Sequence, residues 1–157
     1  MKREYPDRPI VGVGAVIVRG AQVLLVKRGA PPLEGEWSLP GGVVELGETL
    51  RAAAEREALE ETGLVVEAGE VLEVFDRIIP GAGGRPQYHY VLVDFLCHVT
   101  GGELRAGGDA AEVAWASEEE LKKYKLEKPA RDVIGKAFSR APASEVPSGA
   151  RDPYNQK

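Results

Sequence analysis

The sequence predicts an α/β (α+β) fold, a mixed β-sheet covered by α-helices, on three observations. Valine and isoleucine alternate with small residues near the start, over residues 10–18. Residues 49–61 then break the strand pattern with alanine, leucine, glutamate and arginine and no glycine or proline. Two more strand-like runs follow at residues 65–79 and 88–99, before shorter helical signals.

Each element has a local reason. Arg19-Gly20-Ala21-Gln22 punctuates the first strand, so residues 23–27 return as the second arm of a hairpin. Residues 29–36 carry two prolines and read as a loop. Residues 37–39 read as a short strand, stopped by Pro40-Gly41-Gly42. Thr49 is placed to cap the first helix, and Gly63 to end it. The run at 65–79 is expected to bend near Gly69, and the glycine-rich segment 80–86 to turn a second hairpin. Residues 101–108 read as loop and 112–115 as a short strand. Ser117 is expected to cap a helix through Tyr124, and Pro129 to start another ending near Phe138. Three units result: an N-terminal arm at 1–9, one domain at 10–140 and a mobile tail at 141–157, rich in Pro, Ser and Gly.

Composition narrows the function. The chain has 157 residues, 43% apolar and 29% charged, with 25 acidic against 20 basic residues and a net charge of −5. No basic run offers phosphates a nucleic-acid footprint, so nucleic acid is not an expected partner. No apolar stretch has the length of a membrane span, and residues 1–9 lack the apolar core of a signal peptide. The expected location is the cytoplasm. Cys97 is the single cysteine and reads as a buried apolar group. An acidic protein that handles phosphates needs metal ions to bring like charges together, which directs attention to carboxylate clusters.

Glu57, Glu60 and Glu61 are spaced to share one helix face. A glutamate-rich face alone signals a solvated surface. Here it stands within Gly42, Glu48, Arg56, Glu57, Ala58, Glu60, Glu61, Gly63 and Leu64, spaced as in the Nudix box, which residues 42–64 resemble. All seven strictly typed positions match, and only Ala58 departs, being smaller than the usual aliphatic residue. The hairpin over residues 11–27 and the lead-in Trp37-Ser38-Leu39-Pro40-Gly41-Gly42 extend the resemblance.

The resemblance implies the Nudix fold, a mixed sheet sandwiched between helices, and a pyrophosphohydrolase acting on a phosphoanhydride bond. It implies magnesium as cofactor, with manganese as a substitute. Glu57 and Glu61 would be the main metal ligands, with Glu60 and the Gly41 carbonyl assisting. Arg56 and Glu48 would form an ion pair bracing loop against helix. The catalytic base would be a box glutamate, Glu60 or Glu61, or one from a later loop. Glu112 is the candidate there, with Glu103 and Asp109 behind it. Lys27, Arg28, Arg77 and Tyr88 are candidates for contacting substrate: Lys27 and Arg28 through phosphate, and Arg77 or Tyr88 by stacking on a base. Strand alternation puts Tyr88 and Tyr90 on one face and His89 on the other. Pro80, 16 positions after Leu64 (80 − 64), matches a feature of some ADP-ribose pyrophosphatases of the family. The expected substrate is therefore a small nucleoside diphosphate, first ADP-ribose or a nucleotide sugar. The alternatives are nucleoside triphosphates, oxidised nucleotides or dinucleoside polyphosphates, or a sensor module that binds nucleotide without turnover. Many members of the family are dimers, so a homodimer is a further expectation.

Overall fold

The computed structural model describes residues 2–31 and 33–140, so the tail expected at 141–157 lies outside the described residues. Strand β1 (Ile10–Arg19) turns at Gly20-Ala21 into β2 (Gln22–Arg28), pairing Val18 with Val23 as the hairpin reading requires. Two short strands follow, β3 (Trp37–Ser38) and β4 (Gly41–Val43), then helix α1 (Leu50–Thr62). The long strands β5 (Leu64–Pro80) and β6 (Pro86–Gly102) form an antiparallel hairpin, followed by β7 (Ala110–Ser117) and helix α2 (Lys128–Ser139).

The sheet runs β3-β2-β1-β6-β5, with β4 also pairing β1 and β7 also pairing β2. β1 and β6 are parallel and the other pairs antiparallel, so the sheet is mixed, as predicted. Alternation sorts side chains to two faces. Val13, Ala15, Ile17, Phe95 and Cys97 pack against Ala53, Ala54 and Ala58 of α1. Val16, Val23 and Leu25 pack with Val133, Ile134 and Ala137 of α2. The two helices therefore cover opposite faces, each buried aliphatic side chain contributing roughly 1.5–3 kcal/mol.

The ends of α1 follow local rules. Thr49 Oγ1 accepts the Ala52 N–H at 3.1 Å, a cap worth about 1 kcal/mol. Gly63 closes the helix at φ 75°, a conformation glycine adopts without strain. The alanine face lets α1 lie close to the sheet, and Ala58 is fully buried there.

Three expectations are corrected. Pro40-Gly41-Gly42 does not simply stop a strand: Gly41 and Gly42 begin β4, paired with Gly14 and Val13 of β1. Ser117 ends β7 and caps no α-helix; Glu119–Tyr124 is a 3-10 helix, and Glu120 Oε1 accepts the Ser117 N–H at 2.9 Å. The last strand is longer than residues 112–115 because it pairs with β2 along its length. The N-terminal arm is tied to the β5–β6 turn, where Tyr5 N–H donates to the Gln87 carbonyl at 2.7 Å and the Tyr5 hydroxyl accepts the Ala82 N–H at 2.9 Å. Among the described residues no helix is long and apolar enough to cross a membrane.

Candidate active site

A cavity of about 540 Å³ opens where β1, β4 and β6 meet α1 on one side and α2 on the other. Its α1 half is acidic. Glu57, Glu60 and Glu61 line it together with Arg28, Arg56 and Asp109. Helical spacing puts the three glutamates on one face, and the glycines of β4 bring the chain against that face. Gly41 N–H donates to Glu61 Oε1 at 3.0 Å. A Cβ at residue 42 would fall 1.8 Å from Glu57 Oε2, so only glycine leaves Glu57 its place.

Burial raises Glu57 to about 7 against the pull of Arg56, with Glu60 and Asp109 adding repulsion. Burial also raises Glu61 to about 7; the Gly41 N–H and Arg28 oppose the shift, and Glu57 and Asp109 add to it. Arg56 organises the remainder. It donates to Glu48 at 2.6 and 2.9 Å, to the Val43 carbonyl at 3.1 Å and to Glu60 Oε1 at 3.0 Å. Its hydrogen bond holds the Glu48 carboxyl below the usual carboxylate range. Loop is thereby braced against helix.

Among the described residues no three carboxylate, histidine or cysteine groups already converge to hold a metal ion. The geometry explains why: Glu60 is turned to Arg56 and Glu61 to Gly41. The donor set still fits a hard divalent cation. It offers carboxylate and carbonyl oxygens, a glycine cradle that a Cβ would fill, and two carboxylates, one buried and one half-buried, whose mutual repulsion a cation would relieve.

The α2 half carries the wall of a ligand pocket. Tyr88, Tyr90, Leu92 and Asp94 alternate along β6, facing Phe75 and Arg77 of β5. The Tyr88 and Tyr90 rings lie 6.2 Å apart and nearly parallel, as alternation predicts. Arg77 forms a forked ion pair with Glu127 at the start of α2, one arm at 2.9 Å. Asp94 is 6% exposed, and burial, with Glu73 adding repulsion, raises its carboxyl to about 6.

Arg28, Arg77 and Tyr88 thus line the cavity with the box residues, whereas Lys27 and Glu112 do not. Those two stand opposite each other on β2 and β7 and pair at 3.2 Å outside the cavity. Antiparallel register faces Lys27 with Glu112, and the pairing shifts between Lys27 and Arg28, which lines the cavity. Glu103 is exposed outside the lining, and the later-loop carboxylate that reaches the cavity is Asp109. It is placed by backbone bonds, Gly107 N–H to the Glu61 carbonyl at 3.1 Å and Gly29 N–H to the Asp109 carbonyl at 2.7 Å. Sequence reasoning missed Asp94 and Glu127. Asp94 had a signal, an acidic residue inside an apolar strand run; Glu127 had none.

The Asp94 shift has a measurable consequence. Its native value lies above the ordinary aspartate value of 3.8, so the native state holds the proton longer than the unfolded chain. The resulting stabilisation is complete below about pH 4 and is lost as pH rises through about 6. Glu57 and Glu61 act in the same direction, so the Asp94→Asn variant isolates one contribution. Chemical denaturation at pH 4.5 and 7.5 is expected to show a drop in unfolding free energy about 2 kcal/mol larger in the unaltered chain than in the variant; equal drops would refute the assignment.

Comparison with known proteins agrees with this geometry. The NUDIX domain family model matches residues 8–137. An ADP-ribose pyrophosphatase of Methanocaldococcus jannaschii is 40% identical over 104 residues, 66% of this chain and 59% of that protein. A MutT-like protein of Streptomyces ambofaciens is 35% identical over 116 residues, 74% of this chain and 69% of that protein. The crystal structure of a MutT NUDIX hydrolase from Burkholderia pseudomallei superposes with a TM-score of 0.71 at 34% identity, covering 83% of this chain and 98% of that one. With the box residues gathered at one cavity and the family model spanning the sheet and both helices, the chain belongs to the NUDIX domain family.

Proposed function

We propose that this chain is a cytoplasmic, magnesium-dependent pyrophosphohydrolase that cleaves a phosphoanhydride bond in a nucleoside diphosphate linked to a second group, with ADP-ribose or a nucleotide sugar as first substrate. The observation that carries the reading is the joining of two unlike halves in one cavity. One is a carboxylate cluster reaching from buried Glu61 through half-buried Glu57 to exposed Glu60, and the other an aromatic wall with an arginine. A linked diphosphate has the matching parts: a polyanion for the first half and a flat base for the second.

Glu57, Glu61 and the Gly41 carbonyl would hold the divalent cation, with Glu60 joining after release from Arg56. When bound, such an ion screens phosphate charge and lowers the pKa of a coordinated water. The chain's own groups do the remainder. Arg28, close enough to Glu61 to lower its pKa, offers a cationic contact for a phosphate oxygen. Asp109 or Glu61 accepts the proton of the attacking water. Tyr88 and Tyr90 offer their faces for stacking.

The ADP-ribose preference is supported by the name of the archaeal relative, of which this chain spans 59%. Pro80 adds nothing to it. That residue is exposed at the end of β5, opposite Pro86, away from the cavity lining. The test is product analysis on ADP-ribose, a nucleotide sugar, a nucleoside triphosphate and a dinucleoside polyphosphate, ranked by kcat/KM. ADP-ribose or the nucleotide sugar is expected to lead by at least tenfold, roughly 1.4 kcal/mol of transition-state binding. A lead for the triphosphate would replace the substrate and keep the chemistry. Nucleotide binding without any turnover would make the domain a sensor module.

A further inference from the structure

The row Tyr88, Tyr90, Leu92, Asp94 continues along β6 as Leu96, which packs into the core layer beneath α2. Asp94 is therefore the last cavity-lining residue of the row before the core closes. Its position is built. Gly14 stands beside it in the parallel β1–β6 pair. A Cβ at residue 14 would lie 2.1 Å from Asp94 Oδ1, so glycine there makes room for the carboxylate. The residue is 6% exposed, yet its carboxylate makes no hydrogen bond or ion pair with any described residue. No described side-chain oxygen is both fully sealed and unpartnered, so this one opens onto the free volume of the cavity. Opposite it in register stands Glu73, of like charge, whose own partner is Lys136. A buried, unpaired carboxylate is costly unless something else supplies the hydrogen bonds.

We infer that Asp94 is the hydrogen-bond acceptor at the closed end of a nucleobase pocket, and that it selects bases presenting an amino group there. This rests on the reading that the cavity takes a nucleoside diphosphate. The order of the lining residues along β6 and β5 assigns the parts: Tyr90, Leu92 and Phe75 flank a planar ring, and Asp94 meets its edge. A carboxylate only accepts. The amino groups of adenine and cytosine donate to it. Hypoxanthine and uracil replace those groups with carbonyl oxygens, whose lone pairs the carboxylate repels. A site built for one hydrogen-bonding edge rejects the other more strongly than an apolar pocket rejects a size difference.

The experiment is calorimetric binding of ADP against IDP, and of CDP against UDP, in magnesium, with the nucleotides checked for integrity afterwards. The unaltered chain is expected to prefer the amino member of each pair by about tenfold or more. In Asp94→Asn, whose amide both donates and accepts, the preference is expected to fall to within about threefold. Asp94→Ser serves the same purpose if the amide variant does not fold. No preference in the unaltered chain, or a preference that survives both variants, would overturn the inference. The two readings fail separately. Turnover of a linked diphosphate without an Asp94-dependent base preference sinks this inference alone. An Asp94-dependent preference without turnover sinks the enzyme reading alone.

Discussion

Glu57→Gln and Glu61→Gln are each expected to lower kcat/KM for magnesium-dependent hydrolysis by roughly a thousandfold, about 4 kcal/mol of transition-state stabilisation. Both carboxylates sit in the acidic half of the cavity and are raised to about 7, first by burial. A glutamine keeps the shape and removes the charge that draws a cation. The fold is expected to survive because little bracing is lost: Glu61 accepts one backbone N–H, which an amide oxygen also accepts, and Glu57 meets Arg56 only at 3.6 Å while Glu48 keeps the short bonds. Without metal, both variants are expected to unfold at or slightly above the temperature of the unaltered chain, since a buried charge has been removed. Steady-state kinetics and thermal unfolding at pH 7.5 check the pair of expectations. An unchanged rate in either variant would remove that residue from the set of essential ligands.

Arg56→Ala is expected to damage both stability and rate. The side chain is one-quarter exposed and its principal partner Glu48 less so, and it ties Glu48, Glu60 and the Val43 carbonyl together. Removing it leaves Glu48 without its cation and the Val43 carbonyl short of a donor. Loss of about 3 kcal/mol is expected, lowering the unfolding temperature by roughly 9 °C. The rate should fall a further ten- to hundredfold at temperatures where the variant is folded, because the loop and Glu60 lose their alignment. The double variant Arg56→Ala with Glu48→Gln should regain part of the stability and none of the rate. Its unfolding temperature separates a geometric brace from a residue that touches substrate.

What was legible in the sequence was what chemistry writes locally. Thr49 and Gly63 bound α1 because capping needs only neighbouring atoms. The β1–β2 hairpin followed from a turn and two alternating runs. Helical spacing put Glu57, Glu60 and Glu61 on one face, and the resemblance of residues 42–64 to the Nudix box marked them out from a merely solvated face. What was hidden depended on partners distant in the chain. The parallel β1–β6 pair places Gly14 beside Asp94, eighty positions away (94 − 14), and no local pattern encodes that. The Lys27–Glu112 pair was hidden for the same reason: nothing local to either residue encodes a cross-strand partner eighty-five positions away (112 − 27). Asp109 outranked Glu112 only once backbone bonds tied its loop to the end of α1 and to Gly29. Glu127 became visible only when α2 packed its first turn near Arg77.

The measurement that tests the central claim most directly is the release of AMP from ADP-ribose by the unaltered chain, followed in magnesium, in manganese and in excess chelator. Linear AMP release in either metal, abolished by chelator and restored by adding the metal back, is the result predicted from the carboxylate cluster. Equal release with and without chelator would contradict it, because Glu57 and Glu61 would then be acting without the cation their burial and mutual repulsion call for.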